Sequence, residues 1–313
     1  MAERALTGQE ADQRRKLVRP GSDRYKAASW RRDVQRRFRR QKLAVIAAIF
    51  LLLLAFVSIL APVIAPYDPV QQFRREGLTD LGAPVPANAK FWLGTDGLGR
   101  DLLSRLIWGG RVSLGIGLTA SAISVTIGLI LGGGAGFVGG KTDFLLMRFV
   151  DIVMSIPTFF LMLLLVVMLS PGPWVVITVI SLFAWTYPAR IFRAQTLSTR
   201  EQDFILAARC IGAPGRRIFG RHILPHILPL VIVYLALVIP TTIFAEASLS
   251  FLGLGVPPPI PSWGSMIQDG MAYYRAAPWV AFSPGLAIML TVVSFNLVGA
   301  GLREAMDPTR RGR

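Results

Sequence analysis

Six long runs of apolar residues divide this chain, and each approaches the length of a membrane-spanning helix. The runs cover residues 43–64, 112–138, 149–169, 174–188, 227–247 and 280–302. A bilayer core about 30 Å thick needs about 20 apolar residues in a helix, and lipid provides no water to satisfy other backbone conformations. The pattern therefore predicts an all-α polytopic membrane protein with six transmembrane helices.

The polar positions between the runs predict how the chain is organised. The predicted segments are a basic cytoplasmic N-terminal segment 1–42, a first transmembrane helix 43–65, an extracytoplasmic loop 66–111, a five-helix core 112–302 that includes the loop 197–229, and a cytoplasmic tail 303–313. The first run is 22 residues long, whereas the apolar part of a cleavable signal usually has about 7–15. We therefore interpret this run as an anchor that stays in the protein.

Composition agrees with a membrane protein, and the charges indicate its orientation. The chain is 53% hydrophobic and 17% charged, whereas soluble domains carry about 25% charged residues. Of the 34 Lys and Arg residues, 27 lie in the N-terminal segment, in the loops around 141–148 and 190–222, and in the tail. Because basic residues concentrate in cytoplasmic loops, both termini and the 190–222 loop are predicted to face the cytoplasm.

The net charge of +16 raises nucleic-acid binding as an alternative. The densest basic cluster, residues 31–42, directly precedes the first apolar run, where such a cluster sets topology and meets anionic lipid. We therefore expect a lipid bilayer and no nucleic acid as its partner. The single cysteine, Cys210, excludes a disulfide framework and a zinc site built on paired cysteines.

Small residues in the second run predict close helix packing. Glycines recur there every four residues, at Gly128, Gly132, Gly136 and Gly140. Because lipid does not drive helices together, association relies on small residues that let backbones approach. The partner helix could belong to this chain or to another. Prolines in or beside the runs favour kinks, at Pro157, Pro188 and Pro240.

The basic loop 197–229 has the pattern of two short helices. Ser198 and Glu201 have the spacing of a capping box that would start the first helix. Its apolar residues at i, i+4 and i+7 would share one face: Phe204, Ala208 and Ile211. Gly212 is placed to end that helix.

The second predicted helix of this loop begins near Pro214 and ends at Pro225. It carries three basic residues, Arg216, Arg217 and Arg221. Two short helices joined at a glycine, apolar on one face and charged elsewhere, are typical of a docking element for a cytoplasmic partner.

This loop resembles the EAA loop of permease subunits in binding-protein-dependent ABC importers. The matching positions are Ala207, Ala208, Gly212, Ile223, Leu224 and Pro225, while Leu206 stands where the family has Glu. Glu201 or Asp203 could replace that carboxylate. The resemblance implies that the loop inserts into a groove on an ATPase subunit. The residues implied in coupling are Glu201, Asp203, Phe204, Leu206, Ala207, Ala208, Gly212, Ala213, Arg216, Arg217, Ile223, Leu224 and Pro225.

Four further stretches resemble the dipeptide, oligopeptide and nickel branch of these importers, in particular its second, C-type permease. They are residues 36–46, 92–117, 151–161 and 246–267. The resemblance implies a type I ABC importer permease fold, MetI-like, in the cytoplasmic (inner) membrane of a prokaryote. It also implies import of short peptides, with nickel, glutathione or another small solute as alternatives.

The same resemblance implies the partners: a second homologous permease, two ATP-binding subunits and an extracytoplasmic substrate-binding protein. The chain has no Gly-x-x-x-x-Gly-Lys-Ser/Thr phosphate loop. We therefore expect no cofactor in this chain and no enzymatic activity, with ATP and magnesium bound by the ATPase partners. A stand-alone secondary transporter is the alternative class, but the sequence has no obvious internal repeat of the kind those proteins carry.

Polar and aromatic residues near the extracytoplasmic ends are candidates for a binding-protein contact or a gate. They are Asp96, Arg100, Asp101, Glu246 and Trp263. The alternative is that these segments only form tight turns or hydrogen-bonded helix ends. His222 and His226 have a metal-binding spacing on a helix, but Pro225 interrupts it and no third ligand is near, so we expect no metal site.

Overall fold

The computed structural model describes residues 24–306, and their side chains from residue 32 onward. Its first half contains helices that precede the loop at residue 170: α1 (Arg24–Arg40), α2 (Lys42–Ile59), α3 (Ala61–Ile64), α4 (Leu102–Gly128), α5 (Gly134–Val138), α6 (Gly140–Ser155) and α7 (Thr158–Leu169). A π-helical turn, Leu129–Gly133, joins α4 to α5. Within residues 24–306 the β-structure is limited to isolated bridges in the loop between α3 and α4.

The second half of the described chain is also helical. Its helices are α8 (Pro173–Ala184), α9 (Thr186–Arg200), α10 (Asp203–Cys210), α11 (Gly215–Ile218), α12 (Leu224–Phe251), α13 (Trp263–Met271) and α14 (Trp279–Met306). A second π-helical turn, Phe219–Ile223, joins α11 to α12.

The six predicted spans correspond to four long helices and two bent pairs. The long helices are Lys42–Ile59, Leu102–Val138, Gly215–Phe251 and Trp279–Met306. The bent pairs are α6 with α7, at 84°, and α8 with α9, at 41°. The predicted all-α membrane fold is therefore confirmed, while the third and fourth spans are broken helices and not continuous ones.

Pro157 explains the sharper break. Proline cannot donate a helical hydrogen bond, and it forces the residue before it into an extended conformation. Ile156 has the extended conformation φ −93° and ψ 136°, so α6 ends at Ser155 with Ile156 as its C-cap. Pro188 lies in the first turn of α9, just after the second break, whereas Pro240 lies inside α12 without interrupting it.

The second span begins at Leu102, ten residues before the predicted window at 112. Asp101 caps this helix: its carboxylate accepts hydrogen bonds from the Ser104 N–H at 2.8 Å and the Ser104 hydroxyl at 2.6 Å. The prediction was wrong because Arg105 and Arg111 lower the hydropathy of the first turns. The side chain of Arg105 is in fact buried, beside Asp96.

The glycine stripe packs against α9 of the same chain. A Cβ on Gly132 would lie 2.6 Å from the Ala189 Cα, and one on Gly128 would lie 2.8 Å from the Pro188 Cβ. A Cβ on Gly136 would meet the Arg193 carbonyl oxygen at 2.8 Å. Gly140 does not belong to this contact, since no atom would lie within 4 Å of its Cβ.

Polar hydroxyl groups join α4 to α12 in the interior. The hydroxyls of Ser121 and Thr242 are 2.7 Å apart, and the Thr242 hydroxyl also donates to the Gly117 carbonyl at 2.9 Å. All three residues are buried. Such interhelical hydrogen bonds stabilise helix pairs where the hydrophobic effect gives no preference for protein over lipid.

Candidate functional site

In the loop between α9 and α12, the first short helix begins later than the predicted capping box would place it. Ser198 lies inside α9, which continues to Arg200, and Glu201 follows as its C-cap. α10 begins at Asp203 with Gln202 as its N-cap and no side-chain capping bond. The predicted capping box is therefore wrong, because the amphipathic helix α9, with Thr196 and Thr199 fully buried, runs past it.

α10 packs on a small apolar cluster through a different face from the predicted one. Ile205 and Ala208 are its buried residues. They contact the buried residues of the following segment, Ile218, Ile223 and Ile227. Phe204 and Ile211, predicted to share the packed face with Ala208, are exposed.

The end of α10 follows from Gly212, as predicted. This glycine has φ +77°, the left-handed conformation that an L side chain adopts only at a cost. The Ala213 N–H donates to the Ala208 carbonyl at 3.0 Å, and the Gly212 N–H donates to Arg209 at 2.9 Å, so two carbonyls at the helix end are satisfied.

Pro225 does not end the second helix. Pro214 caps α11, and the chain then passes through the π-helical turn Phe219–Ile223 directly into α12, where Pro225 lies in the first turn. A local π turn can accommodate the hydrogen bond that a proline cannot make. The loop is thus joined to a long spanning helix without an interruption.

Four residues on the outer side of α10 and its C-terminal turn form what we call the docking face: Phe204, Leu206, Ala207 and Ile211. All are exposed, Ile211 to 84%. Exposed charged side chains surround them, including Arg209, Arg216 and Arg217. The ring of Phe204 also lies 5.7 Å from that of His226. An apolar patch with a charged rim is typical of a protein-binding surface.

Two carboxylates considered as replacements for the family's Glu lie beside this face. Glu201 follows α9 and Asp203 is in the first turn of α10, and both are exposed. Leu206 itself is 46% exposed. Leu206 therefore presents an apolar side chain at the position that matches the Glu of the EAA loop in the sequence.

Ion pairs between α6 and α9 hold the loop's supporting helix, and the sequence analysis missed them. Arg193 Nη2 donates to Asp143 Oδ2 at 2.6 Å, and a second close contact joins Arg193 Nε to Asp143 Oδ1. Arg190 pairs with Asp151. Arg200 Nη1 donates to the carbonyls of Gly136 and Phe137, at 3.3 and 3.2 Å. The paired residues are about 40 to 65 positions apart, so no local sequence pattern connects them.

The extracytoplasmic candidates Asp96, Arg100, Asp101 and Trp263 are all buried. These four side chains lie beneath the surface in this conformation, and their role as a binding-protein contact or gate stays a prediction. Asp101 caps α4, as described above. Trp263 begins α13, and its indole N–H donates to the Leu106 carbonyl at 3.0 Å. The alternative prediction, that these residues shape turns and helix ends, describes their contacts.

Asp96 and Arg100 belong to a buried ion network. Arg100 Nε donates to Asp96 Oδ2 at 2.7 Å, and Arg105 Nε lies 3.1 Å from the same oxygen. Both guanidinium groups also reach Asp269 Oδ2 on α13, at 3.4 and 3.2 Å. Burial raises the pKa of Asp269, and the positive charges of Arg105 and Arg100 oppose that rise. The network joins the loop after α3 to α13.

Glu246 lies within α12, five residues before its end, and is fully buried. The helix-terminus interpretation of this residue is therefore wrong. The Ser250 hydroxyl donates to Glu246 Oε1 at 2.7 Å. Burial keeps Glu246 away from the protein surface in this conformation, and its role as a binding-protein contact or gate stays a prediction.

Among the described residues, no three or more His, Cys, Asp or Glu side chains are placed together to hold a metal ion. His222 lies in the π-helical turn and His226 lies in α12 beside Phe204.

Two models of known protein families match the chain. A family model described as binding-protein-dependent transport system inner membrane component matches residues 95–312. A second, the N-terminal TM domain of oligopeptide transport permease C, matches residues 29–81.

Curated relatives match almost the whole chain. The oligopeptide transport system permease protein OppC of Bacillus subtilis is 39% identical over 286 residues, covering 91% of this chain and 92% of the relative. The dipeptide permease protein DppC of the same organism is 38% identical, covering 90% and 87%. The glutathione transport system permease protein GsiD of Escherichia coli is 41% identical, covering 88% and 90%.

A solved structure shares the fold. It is the methionine ABC transporter MetNI in inward-facing conformations, with a TM-score of 0.55 at 20% identity. The match covers 66% of this chain and 98% of that one. At this identity the likeness supports the fold alone.

Proposed function

Because the chain belongs to the family of binding-protein-dependent transport system inner membrane components, we propose that it is the permease subunit of an ABC importer for short peptides. The observation that carries the proposal is the docking face, an exposed apolar patch on a short helix that packs against the start of a spanning helix. The peptide substrate is supported by relatives named for oligopeptide and dipeptide transport.

The proposal includes the partners expected from the sequence. These are a second homologous permease, two ATP-binding subunits that hold ATP and magnesium, and an extracytoplasmic substrate-binding protein. The chain itself binds no cofactor and catalyses no reaction in this proposal. The charge distribution supports an orientation with both termini and the docking face in the cytoplasm, where ATP is available.

In the proposed mechanism, the docking face seats in a groove of an ATPase subunit. Movement of that subunit on ATP binding then displaces α10. Because α10 packs on Ile218, Ile223 and Ile227, its displacement moves α12. α9 moves with it, because only Glu201 and Gln202 separate the end of α9 from the start of α10. The path between the permeases thereby alternates between its two openings.

Ile211→Asp tests the proposal. The side chain is 84% exposed, so the variant should fold and reach the membrane in normal amounts. A carboxylate in an apolar interface is left without a partner, so ATPase subunits should no longer co-purify with the permease. ATP-dependent uptake of labelled trialanine into proteoliposomes containing the binding protein should fall in proportion to the ATPase subunits that are lost.

Leu81→Asp is the matched control. Leu81 is 96% exposed in the loop between α3 and α4, away from the docking face. This variant should retain the ATPase subunits in full. If Ile211→Asp also retains them and transports normally, the docking face does not bind the ATPase and the proposal fails.

Glutathione is the second candidate substrate, because the glutathione permease relative is as similar to the chain as the peptide permeases are. Uptake of trialanine and of glutathione by the assembled transporter distinguishes them. Saturable, ATP-dependent uptake of glutathione with none of trialanine would replace the peptide assignment.

A further inference from the structure

Both helix breaks open onto the same cavity. The break between α6 and α7 contributes Ile156, Pro157 and Thr158 to its wall, and the break between α8 and α9 contributes Thr186 and Tyr187. α12 and the end of α14 complete the lining. The volume is about 660 Å³, within the range of roughly 300–1,000 Å³ that small-molecule sites occupy.

The non-helical backbone at the two breaks lines this cavity, an arrangement typical of a water-filled site within a membrane protein. Lipid cannot satisfy free backbone groups, so such breaks persist where they are buried in protein or line an aqueous cavity. Here Pro157 and Tyr187 are exposed, Tyr187 to 56%. At the second break, the Thr186 hydroxyl donates to the Phe183 carbonyl at 3.0 Å.

The wall of this cavity carries hydroxyl groups and one positive charge. The polar side chains that line it are Thr158, Thr186, Tyr187, Tyr234, Thr241 and Arg303. Among the lining residues Arg303 is the only charged one, so no carboxylate of this wall neutralises it. Arg303 is exposed and lies in the last turn of α14, and the rings of Tyr187 and Tyr234 are 6.3 Å apart.

A second cavity of similar size has a different lining. It measures about 640 Å³ and lies between α12 and α14. Its wall includes Phe244, Phe251, Met289 and Val293, and no charged residue lines it. Ser248 is its single hydroxyl residue, so the cation and the five hydroxyl side chains distinguish the cavity at the helix breaks.

We propose that the cavity at the two helix breaks is this subunit's wall of the translocation path, and that it receives peptides with a free carboxylate. Arg303 attracts the carboxylate toward the cytoplasmic end, while Tyr187, Tyr234 and Thr241 contact the neutral backbone. A lone guanidinium in a narrow aqueous cavity favours anionic groups over cationic ones. The inference rests on the proposed function, which fixes what passes along the path and in which direction.

Cysteine labelling of the assembled transporter tests the proposal. The only native cysteine is the exposed Cys210, so Cys210→Ser gives a cysteine-free background. Tyr187→Cys and Thr241→Cys place single thiols in the wall, at exposed positions. The complex with its ATPase subunits, held in nanodiscs without nucleotide, is treated with the anionic reagent sulfonatoethyl methanethiosulfonate or with its cationic trimethylammonium counterpart.

Both cavity thiols should react with the two water-soluble reagents, and faster with the anionic one. Leu52→Cys is the control, because Leu52 is 71% exposed on the apolar helix α2 and should react with neither. Arg303→Gln should lower the anionic-to-cationic rate ratio several-fold, and Arg303→Lys should preserve it.

Two results would overturn the proposal. Labelling as slow as at Leu52→Cys would show that the cavity is not aqueous. A rate ratio unchanged by Arg303→Gln would show that Arg303 faces lipid head groups or another protein and not the path. Either can occur while the ATPase subunits remain bound and uptake continues, so these failures are distinct from failure of the proposed function.

Discussion

Gly132 lies directly against Ala189, with no space for a side chain between the two backbones. A Cβ on Gly132 would stand 2.6 Å from both the Cα and the carbonyl carbon of Ala189. The π-helical turn can therefore pack this closely against α9, which supports the docking face, only because Gly132 has no side chain.

Gly132→Ala should consequently destabilise the protein. Forcing a methyl group into this contact should lower the free energy of unfolding by about 1–3 kcal/mol. Thermal unfolding of the purified complex measures the change. Gly134→Ala is the control, because no atom lies within 4 Å of its Cβ position, and it should unfold at the wild-type temperature or above. Equal stability of the two variants would contradict the close packing.

Asp96→Asn tests the buried ion network on the opposite side. The amide can still accept the turn hydrogen bonds from Leu98 and Arg100, so the substitution removes mainly the charge that Arg100 and Arg105 share. Breaking a buried pair in this way typically costs about 3–5 kcal/mol. The measurement is the unfolding temperature of the purified complex.

Asp68→Asn provides the matched control for that network. Asp68 Oδ1 accepts a comparable turn hydrogen bond from Val70 at 2.8 Å, but the residue is exposed. Its substitution should change stability by less than about 0.5 kcal/mol. A loss equal to that of Asp96→Asn would mean that the turns, and not the ion pairs, hold the loop.

Glu246→Ala should destabilise the protein through an unpaired hydroxyl. Ser250 donates to Glu246 Oε1 at 2.7 Å in a fully buried setting, and a buried group without its partner costs about 1–3 kcal/mol. Glu246→Gln retains an acceptor and should cost less. Ser248→Ala, at a half-buried site where the hydroxyl donates only to the Phe244 carbonyl of its own helix, should have almost no effect on the unfolding temperature. Wild-type stability of Glu246→Ala would refute a structural role.

Gly212→Val should abolish coupling, and Gly212→Asn should preserve it. The position has open space around its Cβ, so the only obstacle is φ +77°. Asparagine tolerates that conformation, whereas a β-branched residue is strained by at least about 1–2 kcal/mol. ATP-dependent uptake of trialanine should fall for valine alone, at equal amounts of permease in the membrane. Normal uptake by Gly212→Val would show that the left-handed turn is dispensable.

The apolar runs were sufficient to predict the spans, because lipid imposes one solution on any long apolar segment. They could not predict the breaks. A proline such as Pro157 marks where a helix is weakened, but the 84° turn depends on what packs around it. The helix start at Leu102 was missed because Arg105 looks too polar to be buried until its partner Asp96 is placed beside it.

The packed face of α10 shows a different limit. Apolar residues occupy consecutive positions at Phe204, Ile205 and Leu206, so helical spacing alone supports more than one buried face. Which face packs is decided by Ile218, Ile223 and Ile227, which lie outside α10. Gly212 and the docking helix itself were predictable because a left-handed helix end requires a residue type that the sequence displays.

The π-helical turn Phe219–Ile223 makes α11, the second helix of the loop, and the spanning helix α12 a single lever arm. Gly215–Phe251 comprises 37 residues, a length of about 55 Å at 1.5 Å per residue. A tilt of about 10° at one end of such an arm displaces the other by about 10 Å, more than the width of a peptide backbone. Had Pro225 ended the helix, the joint there would absorb that tilt as local bending.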